Sequence, residues 1–304
     1  MKKNSTIAVI GSKAEEFCRA AAKKGGETDY RLWHASSADK IITLCEPFRW
    51  PEKMVSLAYC LNLSQHAVIA QDSPDAAFGE ALVALDLLGM KSGCFATEYG
   101  LEEYAKGTAA EKYEVKPFNE AIEWARQRES KPVDGPAKIV VDESFNVKGV
   151  GQVLLGFVER GTVRVHDKLT AYPSKAVGRS VEVRSIQVQD EDVGEAGCFS
   201  RVGLCFKGST TEEISRGKML SAQPIQTAIE LELRVQKSRY ANKKEFPRHL
   251  HACFGLQSVP CEAEWSADSV RLRFGEPVAY DGEKALLYDL NRGLPRVVAS
   301  AEKN

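Results

Sequence analysis

The sequence predicts a mixed α/β and all-β chain, in which a small doubly wound α/β domain precedes two antiparallel β-barrels. Helix-like and strand-like segments alternate through residues 1–131, which is typical of a mainly parallel sheet covered by helices. Short strand signals with Gly or Asp turns then recur about every ten residues, as in a closed antiparallel barrel. A further alternating run begins at Thr227, after Gln223-Pro224, and opens a second barrel. We therefore expect domains at residues 1–131, 132–223 and 224–304.

The composition indicates an ordinary globular protein of 304 residues, with 43% apolar and 27% charged residues. A net charge of −1 excludes a uniformly basic nucleic-acid binder but allows a local basic patch. No apolar run approaches the roughly 20 residues of a membrane span, and the N-terminus predicts a strand rather than a signal peptide. The eight cysteines contain no C-x-x-C pair, so we expect reduced cysteines and no metal site in a cytoplasmic protein.

The α/β domain is predicted from short buried strands separated by amphipathic helices. The first helix should carry Phe17, Ala20 and Ala21 on its inner face and end at Gly25-Gly26, because glycine commonly terminates helices. A last helix should carry Phe118, Ile122 and Ala125 on one face. The predicted strands cover residues 6–11, 41–44, 67–70, 93–96 and 112–115.

The turn after the first strand is where such a domain would bind a nucleotide phosphate, on backbone amides at the start of a helix. The phosphate loop has the pattern G-x-x-x-x-G-K-[ST]. Counting from Gly11, its last three positions are Glu16, Phe17 and Cys18, so a carboxylate replaces the glycine, and the lysine and hydroxyl are missing. Lys13 lies in the loop, but we do not expect it to replace the missing lysine. We therefore expect a degenerate phosphate loop, no conventional GTP and magnesium site, and no other cofactor.

The first predicted barrel also carries a specific series of residues at fixed spacing. A strand ends in Asp, an aromatic residue and a G-x-G turn follow, and a glycine-bounded hairpin and an Arg-Gly pair complete the series. These residues are Asp142, Phe145, Gly149-Val150-Gly151, Gly156–Gly161 and Arg216-Gly217.

With these spacings, residues 136–221 resemble the second domain of translational GTPases of the EF-Tu type, and within them the selenocysteine factor SelB. The resemblance is strongest to the SelB-like factor of methanogenic archaea, sometimes called EF-Pyl. Residues 84–89 and 254–258 echo the same archaeal family, so the resemblance extends over the whole chain. It implies that the α/β domain is GTPase-like and that the two barrels are similar to EF-Tu domains 2 and 3.

The resemblance also identifies where the other nucleotide motifs should lie. The family has D-x-x-G after the second strand, and the matching residues here are Cys45–Phe48. Its guanine-reading N-K-x-D corresponds to Thr97–Gly100, which lacks the aspartate that would bind the base. The chain is therefore expected not to be a conventional GTP-hydrolysing enzyme.

In SelB-like factors, an Asp, the basic residue after it and an Arg from a later strand line the pocket for the aminoacyl group. The resemblance assigns these positions to Asp142, Glu143 and Arg201. Because Glu143 is acidic where SelB is basic, an anionic selenol is disfavoured, and a cationic or neutral polar amino acid is better tolerated. The alternative is that Asp142 and Arg201 form a structural ion pair between two strands.

The second barrel contains a basic segment, residues 234–251, with six Lys or Arg residues and one carboxylate, Glu245. Its local charge is therefore +5 in a chain of net charge −1. Such a segment can neutralise phosphates, and in the family this domain touches the tRNA backbone. The alternative is a charged surface loop. The basic residues are Arg234, Lys237, Arg239, Lys243, Lys244 and Arg248.

Taken together, the residues and the resemblance predict a cytoplasmic SelB/EF-Tu-like elongation factor homologue, as in archaea, that acts without conventional GTP hydrolysis. Its expected partner is tRNA or a specialised aminoacyl-tRNA, with the ribosome or another translation factor as a further partner and no membrane. Two alternatives stay open. The first is that the chain is a protein-interaction or ribosome-docking module of the translation machinery. The second is that it is a GTPase with an unorthodox nucleotide site.

Overall fold

A computed structural model describes residues 2–149, 151–174, 180–207, 214–241 and 246–303. The chain begins with an α/β domain in which a seven-stranded sheet has helices on both faces. Its strands are β1 (Lys3–Ile10), β2 (Lys23–Glu27), β3 (Arg31–Ser36), β4 (Lys40–Glu46), β5 (His66–Ile69), β6 (Gly93–Ala96) and β7 (Glu114–Lys116). Its helices are α1 (Ala14–Ala21), α2 (Met54–Leu63), α3 (Ala76–Leu88) and α4 (Phe118–Gln127), with two 3₁₀ turns at Leu101–Ala105 and Ala109–Lys112.

The sheet order is β2-β3-β4-β1-β5-β6-β7, and β1 lies parallel to both β4 and β5 in its centre. Helices α1 and α4 cover one face, where Phe17 and Phe118 pack edge to face with ring centroids 5.4 Å apart. Helices α2 and α3 cover the other face. The doubly wound arrangement expected from the alternating pattern is therefore present.

The predicted end of the first helix is wrong. Helix α1 ends at Ala21, and Gly25 and Gly26 lie in the edge strand β2, which pairs with β3. A β-carbon at Gly25 would lie 2.6 Å from the imidazole of His34, so glycine here permits close approach of two strands. The inner face of α1 was also partly mispredicted, because Cys18 is buried and Ala20 is exposed.

The first barrel has six strands in the closed order β11-β16-β8-β9-β15-β12, because β11 also pairs with β12. Three short strands flank this ring, and Val150 of the G-x-G turn lies outside the described residues. The strands are β8 (Lys138–Val147), β9 (Gly151–Arg160), β10 (Thr162–Arg164), β11 (Lys168–Tyr172), β12 (Ser180–Val188), β13 (Glu191–Val193), β14 (Glu195–Gly197), β15 (Arg201–Lys207) and β16 (Met219–Ser221).

The second barrel is closed in the order β17-β20-β19-β18-β21-β22. With it, the predicted fold class of an α/β domain followed by two antiparallel barrels is confirmed. Its strands are β17 (Gln226–Lys237), β18 (His249–Phe254), β19 (Gln257–Trp265), β20 (Ser269–Tyr280), β21 (Ala285–Tyr288) and β22 (Val297–Glu302). Among the described residues, no helix has the length and apolar character needed to cross a membrane.

One apolar cluster continues from α2 and α3 into both barrels, and we refer to it as the shared core. Because its members come from all three parts of the chain, separating the parts would expose apolar surface to water. Its members include Leu57, Tyr59, Phe78 and Leu85 from the helices, Val140, Phe157 and Met219 from the first barrel, and Leu256, Leu286, Tyr288 and Val297 from the second.

Candidate functional site

The loop between β1 and α1 occupies the position of the expected phosphate loop, and its amides bond to the chain itself. The amide of Ser12 donates to Oε1 of Gln71 at 2.7 Å, and the amide of Lys13 donates to the carbonyl of Ala70 at 2.9 Å. Gly11 has φ of +119°, and a β-carbon there would lie 2.3 Å from the carbonyl oxygen of Ala70. The loop therefore lies directly against the end of β5.

The other residues matched to the phosphate loop have structural contacts. Phe17 and Cys18 are fully buried in the core beneath α1. The ammonium of Lys13 lies 3.1 Å from the carboxylate of Glu16 and 3.5 Å from that of Asp72. The one cation that the sequence places in this loop is therefore already paired with two carboxylates.

The structure brings Asp142 and Arg201 together in the middle of β8, at an irregularity in its pairing with β9, so the prediction that the strand ends at Asp142 is wrong. Oδ2 of Asp142 lies 2.8 Å from Nη2 of Arg201, which begins β15. Oδ1 of Asp142 lies 3.0 Å from Nη2 of Arg216, and Nε of Arg216 donates to the Asp142 carbonyl at 2.8 Å. Asp142 is only 1% exposed, so two guanidiniums compensate its buried charge. The sequence motif contains Arg216 only as half of its closing Arg-Gly pair, so its contact with Asp142 was not predicted.

The α/β domain closes over this ion pair through the turn between β2 and β3. Nη1 of Arg216 lies 2.7 Å from Oδ2 of Asp29. Tyr30, which is 1% exposed, lies beside Asp142 and Arg201, and burial raises the pKa of its phenol so that it stays protonated. Sequence reasoning missed Asp29 and Tyr30 because their role depends on a turn between two strands that it did not predict.

A basic cavity of about 1050 Å³ lies between the β2–β3 edge of the α/β domain and strands of the first barrel. Arg201 opens onto it, and the described lining contains five basic side chains and one acidic side chain. His34 also lines it, and burial, with Arg201 nearby, lowers the pKa of His34 to about 4, so its imidazole is neutral near pH 7. The charged residues are Lys23, Lys24, Lys40, Arg126, Arg201 and Asp190.

A second cavity, of about 640 Å³, is acidic, and both Asp142 and Glu143 line it. Its described lining contains four carboxylates and two guanidiniums. The sign of the lining charge therefore changes from one cavity to the other, and the Asp142–Arg201 pair connects the two linings. The charged residues are Glu27, Asp29, Asp142, Glu143, Arg49 and Arg216.

The basic segment of the second barrel is more compensated than its sequence suggests. Arg234 pairs with Glu302, and Nη2 of Arg248 lies 3.2 Å from Oε2 of Glu262. The ammonium of Lys237 donates to two backbone carbonyls of the β19–β20 turn. Arg239 contacts the α/β domain, where it donates to the backbone carbonyl of Gly107, between the two 3₁₀ turns, and lies 3.6 Å from a carboxylate of α3. Lys243 and Lys244 lie outside the described residues.

Neither the cysteines nor the potential metal-ligating side chains of the described residues form a disulfide or a metal site. All eight cysteines are unpaired, and seven of them are buried. Among the described residues, no group of three or more His, Cys, Asp or Glu side chains is arranged to hold a metal ion. The candidate site is therefore the interface between the α/β domain and the first barrel.

Comparison with known proteins finds translation factors that are similar in fold or over part of the chain. Residues 151–221 match the family described as Elongation factor Tu domain 2. The structure of SelB from Methanococcus maripaludis, in complex with the GTP analogue GppNHp, superposes with a TM-score of 0.76 over 100% of this chain and 79% of that one. At 19% sequence identity, that likeness shows the fold alone.

Sequence relatives fall into two groups. The uncharacterized protein MJ0325 of Methanocaldococcus jannaschii is 34% identical over 296 residues, which cover 93% of this chain and 94% of that protein. The selenocysteine-specific elongation factor of the same organism is 30% identical over 118 residues, covering 39% of this chain and 24% of that factor. Elongation factor 1-alpha of Thermofilum pendens is 37% identical over 87 residues, and the match covers 29% of this chain and 19% of that factor.

The fold and these matches define the class of the protein as an EF-Tu/SelB-like translation elongation factor-like protein, as the sequence resemblance predicted. Within that class, the chain belongs to the same family as MJ0325. The particular likeness to EF-Pyl and the degenerate state of the α/β domain stay predictions.

Proposed function

We propose that this protein binds tRNA in translation and reads the aminoacylated acceptor end, without conventional GTP hydrolysis. The observation that carries this proposal is the pair of oppositely charged cavities connected by Asp142 and Arg201. The likeness to factors whose names describe translation elongation, one of them specific for selenocysteine, supports the same class of ligand. The ribosome or another translation factor is the further partner expected of such a protein.

An aminoacylated RNA end carries both charges that the site complements. Its phosphodiesters are anionic and suit the lysines of the basic cavity, whereas Arg201 supplies a planar fork of donors for the oxygens of the aminoacyl ester. Its α-ammonium is cationic and suits the carboxylates of the acidic cavity, among them Glu143. Because Asp142 is buried and already paired, we assign it a positioning role: it holds Arg201 and Arg216 in place.

A nucleoside triphosphate with magnesium does not fit the residues of the α/β domain. The amides that would bind phosphate donate to Gln71 and Ala70. The positions of the lysine and hydroxyl are taken by Phe17 and Cys18, which are core side chains. Acidic residues Glu15 and Glu16 occupy the first turn of α1, where they repel an anion.

Replacing Arg201 with alanine should weaken binding of aminoacyl-tRNA about 10- to 100-fold, the effect of losing charge-assisted hydrogen bonds. Binding of deacylated tRNA should stay close to wild type. The measurement is a fluorescence titration of charged and uncharged tRNA at several salt concentrations. Arg201→Lys is the control, because it keeps the charge next to Asp142 but loses the planar fork.

Each other result of this titration has a definite meaning. Equal binding of charged and uncharged tRNA by the wild-type protein would show that the barrels hold RNA without reading the amino acid. No binding of either form at low salt would contradict the proposal as a whole. A parallel melting curve for each variant shows whether a lost signal reflects unfolding.

Replacing Arg248 in the basic segment should make tRNA binding less salt-dependent. Its side chain is exposed and its pair with Glu262 is weak enough to exchange for a phosphate. Arg248→Ala should reduce the slope of log K against log salt by about one. Arg164→Ala is the matched control, since Arg164 is an equally exposed, ion-paired arginine in the first barrel, outside both cavities. Equal slopes for the two variants would exclude the basic segment from the RNA interface.

A further inference from the structure

The loop between β1 and α1 has a permanent internal ligand. The side chain of Gln71, which is 4% exposed, accepts from the amide of Ser12 and donates through Nε2 to the carbonyl of Ser73 at 2.7 Å. Nε2 also lies 3.4 Å from Oδ2 of Asp75, whose Oδ1 caps the N-terminus of α3. Both ends of the Gln71 amide are therefore fixed, and the loop is tied to α3 without any added molecule.

Farther along α3, a buried ion pair fixes the helix to the second barrel. Glu80 of α3 is fully buried, and its carboxylate accepts from the backbone amide and the guanidinium of Arg296 at 2.6 to 3.1 Å. The indole of Trp50 donates to the same carboxylate at 2.9 Å. Nearby, the hydroxyl of Ser300 donates to the carbonyl of Leu87 at 2.7 Å.

Both sets of contacts involve α3, the first at its N-cap Asp75 and the second at Glu80 and Leu87. A nucleotide-driven rearrangement needs a loop that changes partners when phosphate binds and an interface that can part. Here the amide of Ser12 is already satisfied by Gln71 and that of Lys13 by the Ala70 carbonyl. The interface is closed by the shared core, and parting it would leave the Glu80–Arg296 pair broken.

We propose that Gln71 replaces a nucleotide phosphate as the ligand of the loop, so that the α/β domain stays in one arrangement on both barrels whether or not GTP or GDP is present. This fixed arrangement extends the proposed function but rests on contacts outside both cavities. The absence of tRNA binding would therefore leave it standing, and its failure would leave tRNA binding standing.

Hydrogen exchange of the loop is the direct test. In the wild-type protein, we expect peptides that cover Ser12 and Lys13 to be protected without nucleotide and unchanged by millimolar GTP or GDP with magnesium. Gln71→Gly should speed their exchange about tenfold, as expected for loss of one buried hydrogen bond. Gln236→Ala, at an exposed position on β17, is the control and should change nothing.

Two measurements extend the test to the domain arrangement. Solution scattering curves with and without GTP or GDP should superimpose, and the melting temperature should not shift, because a ligand that does not bind cannot stabilise. A loop that exchanges rapidly until GTP protects it would overturn the proposal. So would a scattering curve that changes when nucleotide is added.

Discussion

Replacing Glu80 with alanine is expected to lower the free energy of unfolding by about 3–5 kcal/mol, because it leaves a buried guanidinium without its partner. Arg296 is 8% exposed and donates to Glu80 through its backbone and its side chain. The substitution also removes the acceptor of the Trp50 indole. Urea unfolding, followed by tryptophan fluorescence and by circular dichroism, measures the change.

The control for this prediction is an ion pair of the same kind at the surface. Glu262→Ala breaks a pair with Arg248 in which both side chains are largely exposed, so it should cost less than about 1 kcal/mol. Equal effects of the two substitutions would contradict the inference that the Glu80–Arg296 pair joins the α/β domain to the second barrel.

Replacing Asp142 with asparagine should lower the free energy of unfolding by about 3 kcal/mol. The substitution keeps the shape of the side chain but removes the negative charge that lies between two guanidiniums, Arg201 and Arg216. These guanidiniums would then repel each other in a partly buried environment. Denaturant unfolding measures the effect, and the same variant should lose the preference for aminoacyl-tRNA because Arg201 is no longer held in place.

The neighbouring residue supplies a matched control. Glu143→Gln makes the same change from carboxylate to amide one position along β8, at a partly exposed side chain facing the acidic cavity. It should change stability by no more than about 0.5 kcal/mol. If Asp142→Asn were as harmless as Glu143→Gln, the buried pair would not be what holds Arg201 in position.

The architecture could be predicted because the strands of both barrels show regular alternation or glycine-bounded hairpins. The edge strand β2 could not, since its sequence Lys23–Glu27 is entirely exposed and carries no apolar period. It is a strand only because β3 supplies its hydrogen-bond partners. Alternation reports burial, so it cannot reveal a strand whose two faces are both in water.

The candidate site was predictable only in part. The resemblance to SelB identified Asp142 and Arg201 as neighbours, and the structure brings them within 2.8 Å. Their roles in binding stay predictions. Gln71 and Tyr30 could not be found, because each acts on residues far along the chain and neither belongs to a motif with fixed spacing. Which polar side chain fills a loop or covers an ion pair depends on packing, which a single sequence does not display.

The Glu80–Arg296 pair joins residues that are 216 positions apart in the sequence, and this separation has a consequence for biosynthesis. While the nascent chain is still growing, α3 carries a carboxylate and an apolar face whose partners have not yet been made. The α/β domain therefore leaves this face of α3 uncovered until Arg296 has been synthesised, and apolar surface exposed in an incomplete chain is prone to aggregate. Its N-terminal part should need protection by chaperones during synthesis far more than a domain that folds by itself.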